Sequence, residues 1–178
     1  SIGNQISNIV GANKDTIIVG DTLCIQVFQA LSSALKINSK KRYILTDKGN
    51  FAADIYIAQG LLKLFNDNYE LKVVDPEDVL KAIDDQVAVV MLTEVDYRTG
   101  RLHDMKEITK KAHEFDALTV WDLAHSAGAL PVNLNDSKAD FAVGCTYKYL
   151  NGGPGSPAFI YVSPKHLEKI EPALFGWQ

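Results

Sequence analysis

Two segments in the second half of the chain end in residues that can do chemistry. Asp122 and, three residues later, His125 follow the apolar run "ALTVW", and Lys148 follows "DFAVGCTY". A carboxylate at the end of an apolar run loses hydration, so it needs a cation or a strong hydrogen-bond donor nearby. A lysine beside apolar and aromatic groups favours its uncharged amine, which is a nucleophile. Together the two groups could hold opposite sides of an aromatic aldehyde, with the amine on the aldehyde carbon and the carboxylate facing a protonated ring nitrogen.

Such an aldehyde on a charged pyridine ring is the reactive part of pyridoxal 5'-phosphate, and other residues could hold the rest of that cofactor. Its phosphate needs N–H and hydroxyl donors, and the free N–H groups at a helix N-terminus bind anions. The candidate phosphate ligands are Thr22, Leu23 and Cys24 at the start of a predicted helix, and Thr146 and Tyr147 beside the lysine. Phe51, at a predicted strand-to-helix turn, could supply an apolar surface for the ring.

Each of these residues, taken singly, also has an ordinary structural explanation. A lysine at a strand end is usually solvated, and Asp122 could cap a helix. His125 and Phe51 could belong to caps or to the core. The glycines of 152–155 and the segment "YRTG" at 97–100 are typical of turns. The combination, in this order and on one alternating pattern, is what favours the cofactor site.

The elements that must position these residues form a strand–helix alternation along the chain. Predicted strands cover residues 16–20, 42–46, 69–74, 87–95, 117–124, 140–146 and 157–163. Predicted helices cover residues 22–36, 51–65, 75–84 and 103–115, the last two with Asp75 and Asp104 as N-caps. Several strands are continuously apolar, which is typical of strands covered on both faces. The pattern predicts a three-layer α/β/α fold with a mostly parallel seven-stranded sheet, and ligands then bind beyond the carboxyl ends of the strands.

Composition and charge narrow the class of protein further. The 178 residues are 47% apolar and 22% charged, with a net charge of −4, which is typical of one globular domain. No basic cluster is present, which argues against a nucleic-acid partner. No apolar run is long enough to cross a membrane, and Cys24 and Cys145 are spaced unlike metal ligands. We therefore expect reduced thiols, no metal site and a cytoplasmic protein.

Three strings carry a resemblance to a known family. They are "DKGNFAADIYIAQG" (47–60), "VVMLTEVDYRTGRLHDM" (89–105) and "VWDLAHSAGALPVNLNDSKADFAVGCTYKYLNGGPGS" (120–156). The chain resembles the kynureninases, which are pyridoxal-phosphate enzymes of the aspartate-aminotransferase fold type. The likeness covers most of the chain and is strongest over residues 87–177.

The resemblance implies a role for each matching residue. Lys148 would bind the cofactor aldehyde covalently, and Asp122 would pair with the pyridine nitrogen. Tyr147 would reach the phosphate and assist proton transfer, so these three would be the catalytic residues. The other implied cofactor contacts are Leu23, Cys24, Phe51, Asp54, Thr93, His125 and Trp177.

The sequence also departs from the family. The family usually has a hydroxyl residue where Cys24 stands, and a thiol is a weaker hydrogen-bond donor. After Trp177 the family continues with aromatic or glycine and histidine residues, whereas Gln178 ends this sequence. We therefore expect residues 1–178 to be a partial pyridoxal-phosphate-binding large domain, without the family's N-terminal segment and C-terminal small domain. The family's arginine for the substrate carboxylate belongs to that small domain.

The activity that the resemblance implies is hydrolysis of L-kynurenine to anthranilate and L-alanine by a homodimer, in tryptophan catabolism and NAD biosynthesis. Use of 3-hydroxykynurenine is left open. One alternative is another class-V aminotransferase-like enzyme, such as a cysteine desulfurase, which needs a reactive cysteine on a mobile loop. The other alternative is a truncated α/β module without catalytic activity that binds a partner.

Overall fold

A seven-stranded sheet with helices on both faces makes up the fold. The computed structural model describes residues 1–65 and 68–175. The strands are β1 (Ile17–Gly20), β2 (Tyr43–Asp47), β3 (Glu70–Val74), β4 (Val87–Thr93), β5 (Leu118–Asp122), β6 (Phe141–Cys145) and β7 (Ala158–Val162). The α-helices are α1 (Ile2–Ile9), α2 (Leu23–Ile37), α3 (Ala52–Leu64), α4 (Val79–Ala82), α5 (Met105–Glu114) and α6 (Leu134–Ser137). Short 3₁₀ turns lie at Pro76–Asp78 and Pro164–His166.

The strand order is β1-β7-β6-β5-β4-β2-β3, and β7 runs against both of its neighbours. The other pairs are parallel, so six strands point the same way and their carboxyl ends share one edge. Strands β4 and β6 are buried along their whole length, as strands covered by helices on both faces must be. The predicted three-layer, mostly parallel sheet is confirmed.

Side chains of the central strands point alternately to the two faces of the sheet and pack into two hydrophobic cores, one on each face. On one side, Val120 and Phe141 pack under α2 and α3. On the other side, Trp121 packs with Ile108 of α5 and Ile6 of α1. Helix α5 begins where it was predicted, because Asp104 Oδ1 accepts a hydrogen bond from the Glu107 amide at 2.8 Å.

The structure differs from the sequence prediction in two added helices, in the segment after Asp75 and in the ends of β4 and β5, of which β5 ends at Asp122 rather than at residue 124. Helices α1 and α6 were not predicted, and both cover the Trp121 side of the sheet. The four-residue α6 is too short to show a helical period. The segment after Asp75 begins as a 3₁₀ turn, and the Asp75 side chain makes no capping hydrogen bond. Strand β4 ends at Thr93 rather than at residue 95, because Val95 pairs with Leu102 in a separate antiparallel bridge.

No helix within the described ranges has the length and apolar character that a bilayer span requires.

A buried carboxylate at the other edge of the sheet holds the C-terminal segment in place. Asp140 accepts hydrogen bonds from the Thr119 amide at 2.9 Å, from His113 Nε2 at 2.8 Å and from His166 Nε2 at 2.9 Å. Lys165 Nζ lies 2.6 Å from the same carboxylate. Burial raises the pKa of Asp140, but the hydrogen bonds from His113, His166 and Lys165 outweigh it and hold the pKa below its usual range. The carboxylate is therefore ionised and compensated at neutral pH.

Replacing Asp140 by asparagine should lower the free energy of unfolding by about 3 kcal/mol, because Lys165 and the two imidazole donors lose their buried counter-charge. Urea denaturation at pH 7 measures the change. The matched control is Asp136→Asn, which removes an exposed carboxylate paired with Lys106 and should change stability by less than about 1 kcal/mol. Equal effects of the two substitutions would contradict the assignment.

Candidate active site

The carboxyl ends of five strands bring the predicted site residues to one edge of the sheet. Thr93 at the end of β4 lies beside Asp122 at the end of β5, and Asp122 lies beside Val143 in β6. Lys148 follows three residues after β6, and Phe51 follows four residues after β2. This is the edge at which parallel α/β sheets bind their ligands.

Lys148 and His125 are in direct contact. Lys148 Nζ lies 2.8 Å from His125 Nε2. Burial lowers the pKa of His125, and the positive charge of Lys148 lowers it further, so the imidazole is neutral and accepts the hydrogen bond. Gly128 allows this approach, because its φ is +85° and a Cβ there would lie 2.6 Å from the Tyr149 carbonyl oxygen. The two loops could not pack this closely with another residue at 128.

Asp122 presents an oxygen without a partner at the bottom of the site. Its Oδ1 accepts a hydrogen bond from the Ala124 amide at 2.8 Å. Its Oδ2 is buried and, within residues 1–65 and 68–175, meets no amide, hydroxyl or cationic donor. Burial raises the pKa of Asp122 to about 6, against the lowering effects of the Ala124 amide and the Lys148 charge. A buried acceptor of this kind is stabilised by a ligand that brings a charged N–H donor.

Asp54, in the first turn of α3, places a second buried carboxyl against the first. Burial and then the negative charge of Asp122 raise the pKa of Asp54 well above its usual range, while the Lys148 charge lowers it. Two carboxyl groups this close do not both ionise, so Asp54 keeps a proton that it can share with Asp122. The pair therefore carries one negative charge rather than two, and a single cationic donor can balance that charge in the protein interior.

Aromatic rings form one wall of the site. The ring centroids of Phe51 and Tyr97 lie 5.4 Å apart in an edge-to-face arrangement, and Tyr97 stacks on His125 at 5.7 Å. Lys148 Nζ lies 5.6 Å from the Phe51 ring centroid, which puts the amine over this wall. The turn predicted at 97–100 is present, but sequence reasoning missed Tyr97. Its position in the loop that follows β4 was the signal that could have identified it.

The first turn of α2 provides anion-binding groups beside Tyr147. Thr22 caps the helix, accepting a hydrogen bond from the Ile25 amide at 3.4 Å. Helix geometry leaves the first amides, including those of Leu23 and Cys24, without intrahelical acceptors. Burial raises the pKa of the Tyr147 phenol, so the phenol keeps its proton. Helix amides and a phenol are both donors that suit a phosphate group.

Two other predicted contacts have their hydroxyls engaged within the chain. The Thr146 hydroxyl donates to the Pro157 carbonyl at 2.5 Å, and the Thr93 hydroxyl donates to the Val95 carbonyl at 3.2 Å. Each oxygen keeps a lone pair but has no proton to spare for a phosphate. Trp177, the remaining predicted contact, lies outside the described residues. The assignment of individual residues to cofactor contacts stays a prediction.

The raised pKa of Asp122 predicts how the stability of the ligand-free protein depends on pH. Its folded pKa of about 6 lies above the unfolded value of about 3.9, so the folded chain binds this proton more tightly. The contribution of Asp122 to stability is therefore full below pH 4 and is lost as the pH rises to 6, by about 3 kcal/mol. Replacing Asp122 by asparagine should remove this pH-dependent loss of stability, because the asparagine side chain carries no charge and its amide can donate a hydrogen bond to Asp54. The variant should exceed the parent in unfolding free energy by about 2–3 kcal/mol at pH 8 and match it at pH 4.

Urea denaturation at the two pH values measures this difference. The matched control is Asp78→Asn, an exposed aspartate paired with Lys81, which should shift stability equally at both pH values. An Asp122→Asn variant less stable than the parent at pH 8 would contradict the conclusion that burial of the ionised Asp122 carboxylate destabilises the ligand-free protein.

Comparison with curated proteins finds close relatives. The chain is 48% identical over 181 residues to the kynureninase of Pseudomonas fluorescens and 47% identical to that of Burkholderia mallei (strain SAVP1). Each match covers 99% of this chain and 44% of the relative. The chain therefore spans a little under half the length of the curated relatives it matches.

Solved structures share the fold at lower sequence identity. The apo cysteine desulfurase of Thermococcus onnurineus NA1 superposes with a TM-score of 0.80 at 22% identity, covering 98% of this chain and 45% of that one. A C-DES mutant with glycine covalently linked to its PLP cofactor gives a TM-score of 0.81 at 16% identity, covering 98% and 48%. The sequence model of the class-V aminotransferases matches residues 2–178. With this match over nearly the whole chain, the protein belongs to the class-V aminotransferase family.

Proposed function

We propose that this chain is the cofactor-binding large domain of a pyridoxal-phosphate enzyme that hydrolyses L-kynurenine to anthranilate and L-alanine. The observation that carries the proposal is the buried Asp122 carboxylate, with an Oδ2 that meets no amide, hydroxyl or cationic donor in the described residues, within range of the Lys148 charge. The 48% identity to a kynureninase over the whole chain supports the choice of substrate.

The chemistry of the site fits the proposed cofactor at each part of the molecule. Lys148 offers an amine for the aldehyde, and Asp122 offers a carboxylate oxygen for the ring nitrogen. Phe51 offers an apolar face, and the first amides of α2 with Tyr147 offer donors for the phosphate. When bound, pyridoxal phosphate supplies a charged ring that draws electrons from the α-carbon of an amino acid.

The residues of this chain would act at three places in the reaction. Lys148 Nζ would hold the cofactor and would move the proton of the substrate's α-carbon. His125 Nε2 orients that amine through their hydrogen bond. Asp122 Oδ2 would accept a hydrogen bond from the ring N–H and would keep that nitrogen protonated. Water then adds to the side-chain ketone, and cleavage of the adjacent carbon–carbon bond gives anthranilate and alanine.

We also propose the setting in which this domain works. Residues 1–178 would act with a small domain that holds the substrate carboxylate, and Trp177 would reach the cofactor phosphate across a homodimer interface. Cys24 and Cys145 are both free thiols, which suits a cytoplasmic enzyme of tryptophan catabolism. Analytical ultracentrifugation tests the dimer.

Neither cysteine of this chain supplies the reactive loop thiol that a cysteine desulfurase needs. Cys145 is buried in β6, and its thiol contacts the Ala124 carbonyl at 3.8 Å. Burial raises the pKa of this thiol, which suppresses the reactive thiolate. Cys24 lies in the first turn of α2 rather than on a loop. Neither cysteine of this chain is placed to receive sulfur from a substrate.

Adding pyridoxal phosphate to the purified protein should give a yellow adduct that borohydride fixes on Lys148, because its amine lies over the Phe51 ring of the aromatic wall. Peptide mass spectrometry locates the adduct. Lys148→Ala should lose it, whereas Lys106→Ala, an exposed lysine paired with Asp136, should keep it. A protein that stays colourless with excess cofactor would support the module without catalytic activity, and an adduct spread over surface lysines would contradict the site.

Asp122→Asn should leave covalent attachment at Lys148 intact and lower kcat/KM for kynurenine by at least about a hundredfold, because a neutral ring draws electrons poorly. Anthranilate fluorescence measures turnover in the protein that contains this chain, with Asp136→Asn as the matched control. Unchanged kinetics would remove Asp122 from the mechanism. Release of sulfur from cysteine in place of anthranilate from kynurenine would favour the desulfurase.

A further inference from the structure

Two loops at the carboxyl end of the sheet carry the aromatic wall. Side-chain hydrogen bonds, in addition to backbone ones, hold each loop in place. The first loop joins β2 to α3 and ends at Phe51. The second joins β4 to α5 over residues 94–104 and carries Tyr97. The wall exists only while these two loops keep their spacing, because Phe51 and Tyr97 meet edge-to-face at 5.4 Å.

The first loop is fixed internally by two buried side chains. Asp47 Oδ1 accepts a hydrogen bond from the Gly49 amide at 2.8 Å. Asn50 Oδ1 accepts one from the Phe51 amide at 2.7 Å, and Asn50 Nδ2 donates to Thr46 Oγ1 at 2.9 Å. These bonds set where the Phe51 backbone begins α3.

The second loop closes on itself as a hairpin. The Asp96 amide donates to the Arg101 carbonyl and the His103 amide donates to the Glu94 carbonyl, both at 2.9 Å. Asp96 Oδ1 accepts a hydrogen bond from the Arg98 amide at 2.8 Å. Tyr97 lies at the tip of this hairpin, over His125.

Two contacts tie the loops together. His103 Nε2 donates a hydrogen bond to Asp47 Oδ2 at 2.6 Å, and both side chains are buried. Arg98 Nη2 donates to the Lys48 carbonyl at 3.0 Å. The close packing at Gly49 leaves little slack, since a Cβ there would lie 3.2 Å from both Asp47 Oδ1 and Asp96 Oδ2.

We infer that His103, through Asp47, is a positioning residue for the cofactor ring. It touches none of the reacting groups assigned above, and it acts by holding the loops of Phe51 and Tyr97 at ring-binding distance. A buried imidazole–carboxylate pair stabilises a fold little more than apolar residues of the same size, but it fixes geometry. The effect on the cofactor rests on the proposed function, whereas the effect on the two rings does not.

The variant that tests this is His103→Gln, with His113→Gln as the matched control. His113 also donates to a buried aspartate, Asp140, but at the opposite edge of the sheet. The dissociation constant for pyridoxal phosphate should rise about 5- to 10-fold in His103→Gln and less than about twofold in His113→Gln. Circular dichroism at the titration temperature checks that both variants are folded, and equal affinities in the two variants would overturn the inference.

A double-mutant cycle tests whether His103 acts through the wall. In a Phe51→Leu background, the added effect of His103→Gln on the dissociation constant should fall below about twofold, because the positioned ring is gone. An undiminished effect would show that His103 reaches the cofactor by another route and would overturn the inference.

Proton NMR of the ligand-free chain gives a readout that needs no cofactor. Cross-relaxation between the rings of Phe51 and Tyr97 should be seen in the parent and in His113→Gln, and it should be lost in His103→Gln. Retained cross-relaxation in a folded His103→Gln variant would contradict the inference. A parent that shows the ring contact but binds no pyridoxal phosphate would instead contradict the proposed function, so the two failures are distinguishable.

Discussion

A carboxylate held out of water with one oxygen unmatched is the constraint on which the site depends. Asp122 ends strand β5 in the interior, where the fold supplies it with the Ala124 amide and, among the described residues, with no further donor except the proton that it can share with Asp54. Leaving a polar group in this condition is costly, and the raised pKa of Asp122 expresses that cost. The adjacent Asp54 keeps the site near charge balance in the absence of a ligand. A ligand with a cationic N–H would give Asp122 a hydrogen-bond donor. The free energy regained in this way would strengthen the binding of that ligand.

The topology explains how one edge gathers so many different groups. Six strands point the same way, so the loops after β1, β2, β4, β5 and β6 open on the same side. The reversed β7 returns the chain beside β6 and keeps Lys148 next to the β5 loop that carries His125. Gly128 then lets the two loops approach each other. Lysine, carboxylate, aromatic wall and helix N-terminus thus reach the same end of the sheet from separate parts of the sequence.

Sequence patterns were sufficient for the elements with strong periodicity or caps. The seven strands and the helices α2, α3 and α5 could be predicted because burial on both faces, or on one helical stripe, leaves a readable pattern. The positions of Asp122 and Lys148 at the carboxyl ends of strands could be predicted because each residue follows an apolar run. Helix α6 is too short to show a period, and the antiparallel course of β7 depends on long-range pairing.

Contacts between loops that are far apart in the sequence could not be predicted from sequence patterns. Tyr97 appeared to belong to an ordinary turn, because only the folded chain brings its ring against Phe51 and His125. The pairing of Asp47 with His103 joins residues 56 positions apart and follows no spacing rule. The hydroxyl of Thr146 suited a phosphate by type, but the return of β7 places the Pro157 carbonyl within its reach. Side-chain chemistry was predictable, whereas the partner that each group finds was set by tertiary structure.

The most direct test of the central claim is a crystal structure of the protein with pyridoxal phosphate bound. The account predicts continuous density from Lys148 Nζ to the aldehyde carbon, with the ring nitrogen about 2.7–2.9 Å from Asp122 Oδ2 and Phe51 against the ring. A cofactor bound with its ring nitrogen directed away from Asp122, or attached to a different lysine, would contradict it.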